Sequence, residues 1–256
     1  MIRTLLIIAG AAFVLALASI GGAMALGGRE LAANGWTWTL RDGDDTIHFE
    51  RGDTSDRGPQ VTRTLDWTGG DTLTVSLSGE VEYVQGPNAG VVITGPKSVV
   101  DRVRLQNGEL SMTDGAEVVV FNWNDHGPNA WAESERLKIV VTAPSVTRFD
   151  VRGSPDLNIT GYDQPTMRVD VSGSGSAQAT GRTDALTVDV NGSGEAELAN
   201  LVARTARVDV AGSGEAEINA SDEAAVDISG SGDVSLTRRP ARVTQQISGS
   251  GEVHGA

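Results

Sequence analysis

The chain has 256 residues, with 34 acidic and 20 basic side chains and a formal net charge of -14. That balance argues against nucleic acid and against docking on an anionic lipid surface. With no cysteine neither a disulfide framework nor a thiolate metal site can form, while 32 Gly and 8 Pro suit a turn-rich all-β chain.

The N-terminus reads as a targeting segment. After Arg3 no charge occurs until Arg29, and Leu5-Leu6-Ile7-Ile8 through Leu17 forms an apolar core. Ala23-Met24-Ala25 offers the small-x-small pattern cut by signal peptidase. The uncharged run is also long enough to span a bilayer. Residues 1–28 are therefore a cleaved signal or a membrane anchor, and either one exports the body to the cell envelope.

Residues 29–64 form a β-prone lead-in. Trp36-Thr37-Trp38-Thr39-Leu40 and Thr46-Ile47-His48-Phe49-Glu50 flank Asp-Gly and Gly-Asp turn signals. Residues 51–60 read as a loop. Regular alternation starts with Leu73-Thr74-Val75-Ser76-Leu77 and Glu80-Val81-Glu82-Tyr83-Val84. Strands are also expected at Val91-Val92-Ile93, at 118–121 and at 137–142, as irregular outer turns of the same stack as the C-terminal repeats. A loop, 122–132, interrupts the strands.

The last hundred residues repeat one phrase. Val169-Asp170-Val171-Ser172-Gly173-Ser174-Gly175 recurs with its first glycine at 173, 192, 212, 230 and 249, a spacing of 19, 20, 18 and 19. A degenerate copy begins at Phe149-Asp150-Val151. A fixed period of this length means one unit stacked on itself. Each unit holds two short alternating strands and two bends, too little for a βαβ crossover. It suits one turn of a β-solenoid, with Gly-Ser-Gly at the corner and the serines able to bond from turn to turn. Alignment predicts apolar columns Val169/Val188/Val208/Val226, Val171/Val190/Val210/Ile228/Ile247 and Ala177/Ala196/Ala216/Val234/Val253. It also predicts two carboxylate columns on solvent faces, Asp170/Asp189/Asp209/Asp227 and Glu195/Glu215/Asp233/Glu252. Such ladders repel themselves unless water, cations or interleaved bases intervene, and weak Ca2+ binding is one consequence. The final turn either frays, which is the expectation, or pairs with another chain to make a homo-oligomer through the open end.

The ordered set of a Gly-Glu-Val-Glu-Tyr strand, Val-Val-Ile-Thr-Gly-Pro, Leu-Lys-Ile-Val-Val-Thr-Ala-Pro, and then Val-Asp-Val-x-Gly-Ser-Gly copies closing in Ile-Ser-Gly-Ser-Gly-Glu-Val resembles the bacterial GIN-domain family, described as auto-transporter adhesin heads. The resemblance covers about residues 65–256. It implies an all-β, right-handed parallel β-helix with a turn of about 19 residues, exposed in the envelope. The chain stops at Ala256, before any segment for a translocator barrel, so an auto-transporter route is not expected.

No catalytic set stands out. Gly-x-Gly lacks its third glycine and a following helix. The repeat serines lack the flanking glycines of a nucleophile elbow. The three histidines have no ligand spacing. The most site-like cluster is Trp123, Asn124, Asp125, His126 and Trp131, where a polar loop is rimmed by indoles that suit sugar stacking. The expectation is a non-enzymatic adhesion or surface-binding module that takes an envelope or cell-surface glycan or protein, with no cofactor. The alternatives are a carbohydrate-active enzyme on a β-helix, and a structural or signalling partner of an inner-membrane complex.

Overall fold

The computed structural model describes residues 38–42, 45–51, 59–114, 117–124 and 127–255, with side chains described over 59–114, at 134 and over 136–255. Two compact units result. One gathers Val118–Trp131 with the lead-in up to Asp56, and the other holds Arg57–Glu117 and Ala132–Ala256. The targeting segment lies outside the described residues. Among those described, no helix is long and apolar enough to cross a membrane.

The smaller unit is a four-stranded sheet. Strands β1 (Trp38–Asp42) and β2 (Asp45–Arg51) pair antiparallel, from Trp38 opposite Phe49 to Asp42 opposite Asp45. Next in the sheet come β9 (Glu117–Asn124) and β10 (Gly127–Ala132). The stretch expected as a loop over 122–132 is therefore mostly strand. Its β-prone residues, Val118-Val119-Val120-Phe121 and the two tryptophans, lie in these strands, and 125–126 fall outside the described residues.

The larger unit is the solenoid. Its lower turns use β3 (Gln60–Leu65), β4 (Thr72–Ser76), β5 (Glu80–Gln85) and β6 (Gly90–Pro96). A one-turn helix, α1 (Lys97–Val100), leads to β7 (Val103–Gln106) and β8 (Glu109–Met112). A 3-10 turn, Glu133–Arg136, precedes β11 (Lys138–Ala143) and β12 (Arg148–Gly153). The coils proper are β13 (Asp156–Gly173), β14 (Ser176–Gly192), β15 (Glu195–Gly212) and β16 (Glu215–Gly230). They end in β17 (Asp233–Leu236), β18 (Arg242–Gly249) and β19 (Val253–His254).

The sixteen to eighteen residues of each coil strand run around a bend, marked by register shifts between Ile159 and Tyr162 and between Gln178 and Gly181. All pairings from β12 through β19 are parallel and in register with the repeat: Val169, Val188, Val208 and Val226 stack, as do Val171, Val190, Val210, Ile228 and Ile247. Ala177, Ala196, Ala216, Val234 and Val253 form the third column. The three columns are buried except in the last coil, where Ile247 is 40 % exposed. Each buried valine contributes roughly 1.5 kcal/mol or more. The closing turn does not fray, since β18 holds register with β16 from Arg242 to Gly249.

The corner explains the glycines. Gly173, Gly192, Gly212, Gly230 and Gly249 all have positive φ, from 116° to 136°. A Cβ on Gly212 would lie 2.4 Å from the carbonyl oxygen of Gly192 one coil below. That close approach serves a hydrogen bond, because the backbone N–H of Ser213 donates to Gly192 O at 2.8 Å, and Ser193, Ser231 and Ser250 repeat the arrangement. The turn-to-turn bond thus belongs to the serine backbone, while the serine side chains are exposed.

The earliest coil is stored far away in sequence. Leu73 and Val75 on β4 pair with Phe149 and Val151 on β12, and Val81 and Tyr83 on β5 pair with Leu157 and Ile159. The intervening strand β11 adds on the other side of β5, followed by β6 and β3 in antiparallel order. Phe149 packs edge-on to Tyr83 at 5.0 Å and to Tyr162 at 5.9 Å, filling the core here. Tyr83 donates to Ala143 O and Tyr162 to Thr166 O, so neither buried hydroxyl is orphaned.

Candidate functional site

Of the residues singled out from the sequence, Trp123 and Asn124 fall at the end of β9 and Trp131 near the end of β10, while Asp125 and His126 lie outside the described residues. The two tryptophan positions therefore belong to neighbouring strands of the small sheet rather than to the rims of a long loop.

The solenoid carries two carboxylate columns, and their surroundings differ. The first comprises Asp150, Asp170, Asp189, Asp209 and Asp227 in direct register. Expected on a solvent face, it is half-buried instead, and arginines fold over its members from Asp150 to Asp209. Arg152 pairs with Asp150, Arg148 with Asp170, Arg207 with Asp209, and Arg168 with both Asp170 and Asp189. Interleaved bases thus offset the repulsion from Asp150 to Asp209, while Asp227 at the top of the column has no lysine or arginine partner among the described residues. Burial pushes the Asp189 carboxyl above the usual range, Arg168 opposes that shift, and the neighbouring Asp170 and Asp209 add to it. The hydrogen bonds and charge of Asp170 in turn raise Arg168.

The second column is open. Glu195, Glu215 and Asp233 stack in register, and Glu197 and Glu217 stand two residues on, with Ser235 above them. Alternation places these side chains outward while Ala196 and Ala216 between them are buried. Together they line a shallow depression of about 340 Å³. No lysine or arginine pairs with Glu195, Glu197, Glu215, Glu217 or Asp233 among the described residues. At the top, the backbone N–H of Glu252 donates to Asp233 Oδ1 at 2.8 Å, which ties the last turn to this column. At the bottom the column is neutralised, since Lys138 reaches both Glu80 and Glu82 and its ammonium is raised by them. The carboxylates run in lines rather than converging, and no three metal-ligating side chains meet among the described residues.

Parallel coils of near-constant length, closed by glycine corners and carrying exposed repeating columns, define a parallel β-solenoid. The chain belongs to the family described as "Putative auto-transporter adhesin, head GIN domain", whose model matches residues 71–240. A head of that description belongs on an exported or surface protein. A crystal structure of a putative adhesin from Bacteroides fragilis shares the fold, with a TM-score of 0.58 at 18% identity over 77% of this chain and 96% of that one. A putative lipid binding protein from Parabacteroides distasonis aligns over the same shares, 77% and 96%, at 18% identity with a TM-score of 0.46. No curated protein matches the chain.

Proposed function

We infer that the chain is a non-enzymatic adhesion or surface-binding module of the bacterial cell envelope, exported by its first 28 residues as a cleaved signal or a retained anchor. The observation that carries this reading is the unneutralised carboxylate face of β15 to β17. Four glutamates and Asp233, repeated at the spacing of adjacent strands, form a rigid, periodic surface. Such a surface is matched by a periodic partner, a glycan or wall polysaccharide that offers hydroxyls and bridging cations to each coil in turn. Ca2+ acts here as a weak bridging ion. The β9 and β10 positions Trp123 and Trp131, with Asn124, Asp125 and His126 between them, supply the stacking surface for a sugar ring.

The test is binding of the full chain, purified in detergent, to an array of glycans and cell-wall polysaccharides, with Ca2+ and with chelator. A specific hit weakened about tenfold or more by Trp123→Ala, Trp131→Ala or Glu197→Gln/Glu217→Gln supports the reading, since a lost stacking or charged contact is worth about 1–3 kcal/mol. Turnover of any hit by the same preparation overturns it.

A further inference from the structure

The final coil differs from those beneath it in one respect that bears on assembly. In each earlier copy the middle of this strand carries an aspartate: Asp150, Asp170, Asp189, Asp209 and Asp227. In β18 the same register holds Gln246, and the valine column beside it ends in Gln245. β18 hydrogen-bonds to β16 alone, so its other edge is unpaired among the described residues. From Thr244 to Gly249 every residue is exposed, Ile247 included.

Free edges in monomeric proteins are normally blunted by charge, by proline or by a bulge. β18 has none of these at its centre: its register to β16 is continuous, it contains no proline, and its one charge, Arg242, is engaged with Glu223 at 3.2 Å. Charge is instead divided between its two ends. Arg238, Arg239 and Arg242 precede the strand's neutral centre and are exposed. Glu252 follows it, with its side chain 73% exposed. A strand that is basic at its start, neutral in its middle and acidic past its end is complementary to its own antiparallel copy.

We propose that the solenoid end formed by β18 is the interface of a two-fold homodimer, in which β18 of one copy pairs antiparallel with β18 of a second. Centred on Gln246, the pairing sets Arg242 of each copy opposite Ser250 of the other and brings Arg239 towards Glu252. It satisfies the open row of backbone donors and acceptors and covers Ile247. This goes beyond the surface-binding reading and does not depend on any ligand.

Sedimentation equilibrium of the full chain in density-matched detergent tests it, because the protein mass is read directly. The dimer mass is expected for the native chain and the monomer mass for Gln246→Lys, whose added charges would face each other across the two-fold. Ser248→Lys provides a second edge charge at an exposed position, and unchanged circular dichroism confirms that both variants fold. As the chain has no cysteine, Gln246→Cys should cross-link to a disulfide dimer under mild oxidation, whereas Asn191→Cys, one exposed strand position in the middle of the solenoid, should not. A monomeric native chain overturns the proposal, and so does a dimer that survives both lysine substitutions.

Discussion

The guanidinium of Arg168 bridges two coils: its Nη2 lies 2.7 Å from Asp170 Oδ1 on its own strand and 2.5 Å from Asp189 Oδ2 one coil above. The approach to Asp189 is off the hydrogen-bonding direction, so Asp189 Oδ2 is buried without an aligned donor. One arginine thus serves two carboxylates and satisfies one of them fully. Replacing Arg168 with Met keeps most of the stem and removes the charge. The expected loss is about 1–3 kcal/mol in urea unfolding, and most of it should be recovered in the double variant with Asp189→Asn, a coupling that a double-mutant cycle reads directly.

The same geometry sets a pH dependence. Burial raises the Asp189 carboxyl above its unfolded value. The folded state therefore holds this proton to higher pH than the unfolded state does, and the group destabilises the fold increasingly as pH rises through that window. The cost is fully present above the folded value and absent below the ordinary carboxylate range. Asp189→Asn is expected to be the more stable protein at neutral pH. The difference should vanish as pH falls below the range in which an unfolded aspartate ionises. Equal stabilities at pH 7, or a gap that widens in acid, would count against the assignment.

Corner glycines separate two costs that are usually mixed. At Gly212 alanine meets both a φ of 121° and a backbone oxygen 2.4 Å from the new Cβ. At Gly153 alanine meets a φ of 87° but no atom within 4 Å. Gly153→Ala should cost about 1 kcal/mol, the conformational penalty alone. Gly212→Ala should cost about 3 kcal/mol or more, because two coils must separate or a strand must shift. Paired thermal melts decide it.

Phe149 is the keystone of the lower core, wedged edge-on between two tyrosine rings of neighbouring coils. Phe149→Ala should lose about 3–5 kcal/mol, whereas Phe149→Leu, which refills most of the volume, should lose considerably less. Ile218→Ala, in the middle of the stack with no exposure, should fall in the 2–5 kcal/mol range set for aliphatic truncations (about 3 kcal/mol).

Much of this architecture was legible in the chain because the period repeats every cause at once. The alternation around Val208, Asp209 and Val210 marks a half-buried strand, the Gly-Ser-Gly marks the corner, and the recurrence of both fixes the register. Arginines two residues before Asp170 and Asp209 are the visible signal that the aspartate ladder is paired rather than solvated, since same-face neighbours on a strand are two apart. The partner of β4 and β5 was not legible. Nothing local says that Leu73 stacks on Phe149, because the stacking neighbour is chosen by the shape of the growing solenoid and not by sequence distance. The β7–β8 hairpin did carry a local signal, Asn107-Gly108, both residues at positive φ between two alternating runs. The expected loop at 122–132 failed for the opposite reason: polar Asn122, Asn124 and Asn129 outweighed the β preference of the tryptophans among them. The contrast between a neutralised and an open carboxylate column is a property of coil-to-coil packing, and it becomes visible only once the arginines are placed.

The proposed function requires that the periodic carboxylate face hold a polymer without transforming it. Co-sedimentation of the full chain with insoluble bacterial cell wall, with the supernatant assayed for released sugars, tests it most directly. The protein should pellet with the wall, Glu197→Lys/Glu217→Lys should stay in the supernatant, and no soluble fragments should appear. Released fragments, or no retention by the wall, would contradict it.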